Sequence, residues 1–231
     1  MRKLKNSLLL FKHIYLSRWV RIDVPEPIRS EKKIFIIGFN KTGTTSLKHF
    51  FRDNNYVIAN QTIGEWLILD VLRNRYDRLL EYCKSAEVFQ DIPFSMPEVY
   101  KILHQNFPDA KFILSVRDSE EQWYQSLYRF HNRVFNYENK VSLLKVIKVP
   151  YCFLGFNYLY LKKTFGRCDY LENVYKEKYL KHNKEVEEYF KTYPDSFLKV
   201  NLNQKQDFFS LIKWLNIETE LTDFPWENKT K

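Results

Sequence analysis

The 231-residue chain is poor in the residues that build loops and linkers, with five glycines and eight prolines. That scarcity excludes collagen-like and linker-rich architectures. Cysteine is scarce too: Cys83, Cys152 and Cys168 stand far apart. An odd, scattered set without a C-x-x-C pair fits neither a disulfide framework nor a zinc ribbon. It reads as reduced thiols in a reducing compartment. The five histidines form no H-x-x-x-H or H-E-x-x-H pattern, so no metal site is expected. No apolar run reaches the roughly 18 residues that span a bilayer. Acid is missing from residues 1–21, which carry Arg2, Lys3, Lys5, Lys12, Arg18 and Arg21. Most of the net charge of +9 therefore sits there. The body of the chain is only mildly basic, and no nucleic-acid partner is expected.

What is present is an ordinary globular composition, 45% hydrophobic and 28% charged. The length suits one domain with a substantial core. Pro25 and Pro27 set off a basic N-terminal segment, 1–28, from a domain over 29–231. As a helix, that segment gathers Leu4, Leu8, Phe11, Tyr15 and Trp19 on one face. We read it as docked on the protein, with a peripheral membrane contact on anionic lipid through residues 1–21 as the alternative. Lys12 and His13 interrupt its apolar stretch and no small-residue cleavage site follows, so a signal peptide is a poor fit. A cytoplasmic location is expected, with membrane association through that segment as the variant reading.

Along the domain, short β-branched or aromatic runs alternate with helical periodicity. The runs 32–38, 86–91, 111–116 and 197–202 predict strands. Leu47, Phe50 and Phe51 mark a helix from Thr44, and Leu69, Leu72, Tyr76, Leu79 and Cys83 mark one over 66–83. The capping-box patterns Ser95-Met96-Pro97-Glu98 and Ser119-Glu120-Glu121-Gln122 predict two helix starts. Residues 140–170 read as mostly helical, 173–191 as a helix, and Phe208, Leu211, Ile212 and Leu215 as a last one. This alternation predicts a single α/β domain, a central parallel sheet flanked by helices on both faces. Right-handed crossovers then align the strand C-termini along one edge, where ligands bind.

The most informative stretch is Gly38-Phe39-Asn40-Lys41-Thr42-Gly43-Thr44-Thr45-Ser46, between an apolar strand and a helix. Glycines there permit a tight turn, and the loop amides with the helix N-terminus can face an anion. Gly38 and Gly43 keep Walker A spacing, so the fold expected is P-loop NTPase-like. The Walker lysine would follow the second glycine, but Thr44 stands there and the lysine lies inside the loop as Lys41. No Walker B acid is evident where the magnesium of such a loop would need one, although Asp91 ends a strand and is to be considered. On the loop pattern G-x-x-K-[ST]-G-T-[ST]-x-L, matched by Gly38, Lys41, Thr42, Gly43, Thr44, Thr45 and Leu47, the chain resembles the sulfotransferases that use 3′-phosphoadenosine-5′-phosphosulfate (PAPS).

A second feature of that family is an arginine after a strand with a serine about two turns later. Here Arg117 and Ser126 supply it, nine residues apart where eight is more usual. The plain alternative for Arg117 is an ion pair with Asp118 or Glu120. The stretch Tyr179-Leu180-Lys181-His182-Asn183-Lys184-Glu185-Val186 and the terminal Phe224-Pro225-Trp226-Glu227-Asn228-Lys229 also resemble small members of the family. The resemblance implies transfer of a sulfuryl group from PAPS to an acceptor hydroxyl, leaving adenosine 3′,5′-bisphosphate, with no metal required. It implies a binding set of Gly38, Asn40, Lys41, Thr42, Gly43, Thr44, Thr45, Ser46, Arg117 and Ser126. Lys41 would stabilise the leaving group, and Thr44 and Thr45 would bind the 5′-phosphate. Arg117 and Ser126 would hold the 3′-phosphate, since a guanidinium fork suits phosphate.

Asp91 is the expected base, with His49 and Glu65 as weaker alternatives. Some relatives place a histidine in a similar strand context, and relatives acting on sugars often use an acid. A carbohydrate or glycolipid acceptor is therefore favoured, within a partner class of small molecules or glycans. Aromatics around 128–160, among them Tyr128, Phe130, Phe135, Tyr137, Tyr151 and Phe153, are expected to line the acceptor cleft or to serve as core. A P-loop nucleotide or small-molecule kinase and a noncatalytic nucleotide-binding relative are the rival readings.

Overall fold

Four parallel strands make one sheet in the order β2-β1-β3-β4, within a computed structural model that describes residues 23–135, 143–149 and 151–225. β1 spans Ile34–Ile36, β2 Val88–Phe89, β3 Lys111–Val116 and β4 Phe197–Asn201. Ile34 pairs with Val88 on one side and with Lys111 on the other. The sequence expectation of an α/β domain with a parallel central sheet therefore holds.

Side chains alternate across a strand, and here both sides of the alternation are apolar. Ile34 and Ile36 enter one core with Val88, Ile113 and Val200. Phe35 and Ile37 enter the other with Phe89, Phe112 and Leu114. Burial on both faces is what a parallel sheet between helical layers requires. Helix α1 (Thr44–Asp53) and α10 (Lys205–Leu215) cover the first face through Leu47, Phe50, Phe51, Phe208 and Leu211. The second face takes α5 (Val99–Asn106), α6 (Glu120–Phe135), α8 (Phe156–Phe165) and α9 (Glu172–Phe190). Each large apolar side chain so buried contributes about 1.5–3 kcal/mol.

Two helix expectations are corrected. The stripe over 66–83 is buried or half-buried as the periodicity implies. Across that span, however, the backbone runs from the last residue of α2 (Gln61–Trp66) through two separate short helices, α3 (Ile68–Val71) and α4 (Asp77–Tyr82). Asn74 turns into the left-handed region at φ 54°. The carbonyl of Asp70 accepts from the amides of Arg73 and Arg75, and its carboxylate pairs with Arg78 at 2.6 Å across the turn. Nor does Ser95 open a helix with a capping box. Glu98 is the N-cap, at φ 68° and without a side-chain cap, while buried Ser95 donates to Asn40 Oδ1 at 3.3 Å. Ser119 does cap: its hydroxyl accepts from the Gln122 amide at 3.1 Å, and the Gln122 side chain reaches back to the Asp118 amide. In 140–170 the helical expectation is met by α7 (Leu143–Lys148) and α8.

The basic segment 1–21, Tyr137 and the tail from Trp226 to Lys229 lie outside the described residues. Among the described residues no helix is long and apolar enough to cross a membrane, and no cluster of three or more His, Cys, Asp or Glu could hold a metal. All three cysteines are free.

What positions the site is the strand order. From β1 the chain steps to β2 on one side, then crosses to β3 on the other. The loops leaving β1 and β3 thus diverge at their C-terminal ends, at a topological switch point.

Candidate functional site

The loop after β1 is shaped by close approach. A Cβ on Gly38 would lie 2.3 Å from the carbonyl and hydroxyl oxygens of Ser115 on β3. Glycine is thus the residue that lets the loop leave the sheet there. Lys41 takes φ 74° and Gly43 φ 98°, so the chain turns sharply into α1, whose N-cap is Gly43.

Three successive carbonyls of the loop are engaged by side-chain donors. Thr42 Oγ1 donates to Phe39 O at 2.6 Å, and its hydroxyl also lies 2.6 Å from that of Ser115. Trp123 Nε1 donates to Asn40 O at 3.1 Å. Arg117 Nε donates to Lys41 O at 2.8 Å. The first-turn amides of α1 have no partner within the helix, and its N-cap supplies no side-chain oxygen. Amides and helix dipole together form an anion cradle.

That cradle borders a cavity of about 230 Å³. Asn40, Lys41, Gly43, Thr44, Thr45 and Ser46 line it from the loop and the start of α1, Arg117 from just after β3 and Ser126 from α6. The nine-residue spacing of the last two is compatible with one site because the cap turn before Glu120 precedes the helix. Gly38 and Thr42 stand behind the loop: Thr42 is fully buried with its hydroxyl turned to the sheet. They shape the cradle rather than line it.

Asp91 lines the same cavity from the turn after β2, 7% exposed and at φ 58°. Thr44 Oγ1 donates to its Oδ1 at 3.0 Å. The Thr44 hydroxyl proton is therefore engaged by the carboxylate, leaving its amide for an anion. Burial is the main cause that raises the Asp91 pKa; the Thr44 hydrogen bond and the charges of Lys48 and Lys41 oppose it. Burial likewise lowers the Lys41 pKa, helped by Arg117 and Arg133 and opposed by Asp91. The Lys41 ammonium lies 4.1 Å from the Phe130 ring centroid, a cation–π contact.

Arg117 makes no ion pair with Asp118 or Glu120 among the described residues. Asp118 instead accepts from Asn201 Nδ2 at 2.7 Å and Asn203 Nδ2 at 2.5 Å. The Arg117 amide donates to the Tyr179 hydroxyl at 3.0 Å, and Tyr179 stacks on Trp123 with centroids 4.5 Å apart. His182 Nε2 donates to the Ile37 carbonyl at 3.1 Å and its ring stacks on Phe39. The 179–186 motif therefore braces the two strand ends from behind.

Glu65 lines the cavity and His49 does not. Burial is the main cause raising the Glu65 pKa, against hydrogen bonds from Gln61 and Tyr151. Of the aromatics expected at an acceptor cleft, Phe130 and Tyr151 line the cavity. Tyr128 and Phe153 pack against the core, and the Phe135 side chain lies outside the described residues. Tyr160, at the end of the aromatic stretch 128–160, lines it too, and pattern reasoning missed Gln61, Asn157 and His131, which also line it. A glutamine or asparagine in a short helix carries no spacing signal, and a histidine without an H-x-x-x-H partner carries none either.

No curated protein matches the chain. The family model described as a sulfotransferase domain matches residues 33–231. That span takes in the cradle after β1, the arginine after β3 and the bracing helix α9, and on it the chain belongs to the sulfotransferase family.

Proposed function

We propose that the protein transfers a sulfuryl group from PAPS to an acceptor hydroxyl, with a carbohydrate or glycolipid as the favoured acceptor class. The family establishes a transferase of sulfuryl groups in general. The observation that carries the finer reading is one cavity in which the α1 cradle, Lys41, Arg117, Ser126 and Asp91 meet. The donor has two anionic ends, and the cavity offers two cationic side chains on separate loops. When bound, the donor supplies an activated sulfuryl group with a phosphate as its leaving group.

The protein's own part is to bind, orient and hold protons. The α1 amides and Lys41 bind the 5′ end, and Lys41 neutralises charge that develops on the leaving phosphate oxygen. Arg117 keeps its terminal amino groups for the 3′-phosphate while Nε holds the loop, and Ser126 adds a hydroxyl. Asp91 accepts the acceptor's proton as the new S–O bond forms and the old one breaks. Its raised pKa brings it nearer the range in which a base works at neutral pH. Three free thiols fit a cytoplasmic setting.

The test is thermal stabilisation by adenosine 3′,5′-bisphosphate against Mg-ATP, followed by labelled-sulfate transfer to glycan, lipid and phenol acceptors. Stabilisation by the bisphosphate alone is expected. Stabilisation by Mg-ATP alone would point to a kinase, and binding without transfer to a noncatalytic relative.

A further inference from the structure

Helices α2 and α8 bring to the cavity a polar wall that the donor reading does not use. Glu65 stands one turn after Gln61 on α2 and is 6% exposed. Its Oε1 accepts from Gln61 Nε2 at 2.9 Å and from the Tyr151 hydroxyl at 3.0 Å. Gln61 Oε1 in turn accepts from Gln90 Nε2 at 3.4 Å, which directs the Gln61 amide hydrogens toward Glu65. The carboxylate is thus held in place from two sides. Asn157, on α8, is 5% exposed and lines the same cavity. Its Nδ2 is buried and donates to no atom among the described residues. A buried donor without an acceptor is costly to a fold, and an oxygen of a bound molecule would relieve that cost.

We infer that Glu65 and Asn157 bind the acceptor, and that this acceptor is an uncharged, polyhydroxylated molecule such as a neutral sugar. The inference rests on the donor reading above and adds which residues select the acceptor. A polyol carries hydroxyls that both donate to a carboxylate and accept from an amide, so one molecule satisfies both groups. The rings of Tyr151 and Phe156, 5.4 Å apart, offer apolar faces of the kind on which sugar C–H groups rest. An anionic glycan would bring a further negative charge beside Asp91, Glu65 and the donor. A flat phenol has a single hydroxyl, which the reaction directs to Asp91, and it would leave the Asn157 amide without an acceptor once water is displaced.

The experiment measures labelled-sulfate transfer from PAPS by the full chain. Its acceptors are neutral mono- and disaccharides, a uronic-acid disaccharide and 2-naphthol. Binding of adenosine 3′,5′-bisphosphate is measured separately by calorimetry. A neutral sugar should exceed the other two classes by about tenfold or more in kcat/KM. Glu65→Ala and Asn157→Leu should each raise KM for that sugar about tenfold, with kcat much less affected and nucleotide affinity unchanged. Tyr151→Phe removes only the hydroxyl of a residue that is 47% exposed, so it keeps the idea testable if the buried variants fail to fold. It should raise the same KM about threefold. Preference for the uronic acid or naphthol overturns the inference. So does an unchanged KM in the folded variants, or no transfer to any neutral sugar while the nucleotide still binds. Failure of the nucleotide itself to bind removes the donor reading and this inference with it, and the calorimetry tells the two failures apart.

Discussion

Thr44 donates to Asp91, and that bond sets what each can do. The hydroxyl cannot give the same proton to a phosphate, so the Thr44 amide is its contribution to an anion. The carboxylate keeps its position and its remaining lone pairs. Its pKa is raised from 3.8, chiefly by burial. An acid raised in the fold contributes stability below its unfolded pKa, and that contribution is lost as pH rises through the folded value. At neutral pH an ionised Asp91 therefore destabilises the fold. Asp91→Asn should raise the melting temperature at pH ~7 while cutting turnover by about 10²-fold or more. An Asn variant that still turns over would place the base elsewhere. Lys41 makes a different case. It is lifted into the cavity by a left-handed backbone at φ 74° and packed over Phe130. Lys41→Ala should lower kcat by about 10²-fold and weaken bisphosphate binding much less, as read by single-turnover kinetics beside calorimetry. Equal losses in both would make Lys41 a binding group only.

At the scale of elements, the cradle depends on donors reaching the loop from outside it. Trp123 on α6 takes the Asn40 carbonyl and Arg117 takes that of Lys41. Trp123→Phe deletes the first of these while leaving a ring to stack on Tyr179. It should cost about 1 kcal/mol of stability and weaken bisphosphate binding about three- to tenfold. Unchanged affinity, measured by calorimetry, would mean the loop holds its shape without α6. The strand–loop–helix unit was legible in the sequence because apolar β-branched residues, glycine and a lysine fall in one order that few local structures share. Arg117 and Ser126 were legible as a pair, and their common cavity is a matter of strand order. The break of 66–83 into the end of α2, then α3 and α4, was not, because periodicity reports which side chains are buried and both backbones bury the same stripe. The decisive groups are Asn74 in the left-handed region and Asp70 tying Arg78. Ser95 shows the same limit: it carries the pattern of a cap, but tertiary contact with Asn40 claims its hydroxyl. The polar wall of the cavity was least legible, since Gln61 and Asn157 gain meaning only when α2 and α8 meet.

Across the whole molecule, two cores press on one sheet and leave neutral histidines inside them. His182 fills the space between Phe39 and Tyr100, with its pKa lowered to about 4 chiefly by burial. His131 lies 2.5 Å from the Tyr170 hydroxyl, with its pKa lowered to about 3 by burial and then by Lys41. Both values lie below the ordinary 6.5, so on acidification the unfolded chain takes up protons first. Their stabilising effect is complete above the ordinary histidine range and is lost as pH falls through it toward the folded values. Asp91 and Glu65, raised by burial, act in the opposite sense, so the raw pH profile mixes the two. A variant separates them. His182→Gln keeps a donor for the Ile37 carbonyl but has no proton to gain. Between pH ~6.5 and ~5 the wild type should lose up to about 2 kcal/mol more than this variant, since each pKa unit is worth about 1.4 kcal/mol. Denaturant unfolding at stepped pH reads the difference directly. Parallel profiles for the two proteins would show that His182 titrates alike in the folded and unfolded chain, and that the core behind the loop after β1 admits water.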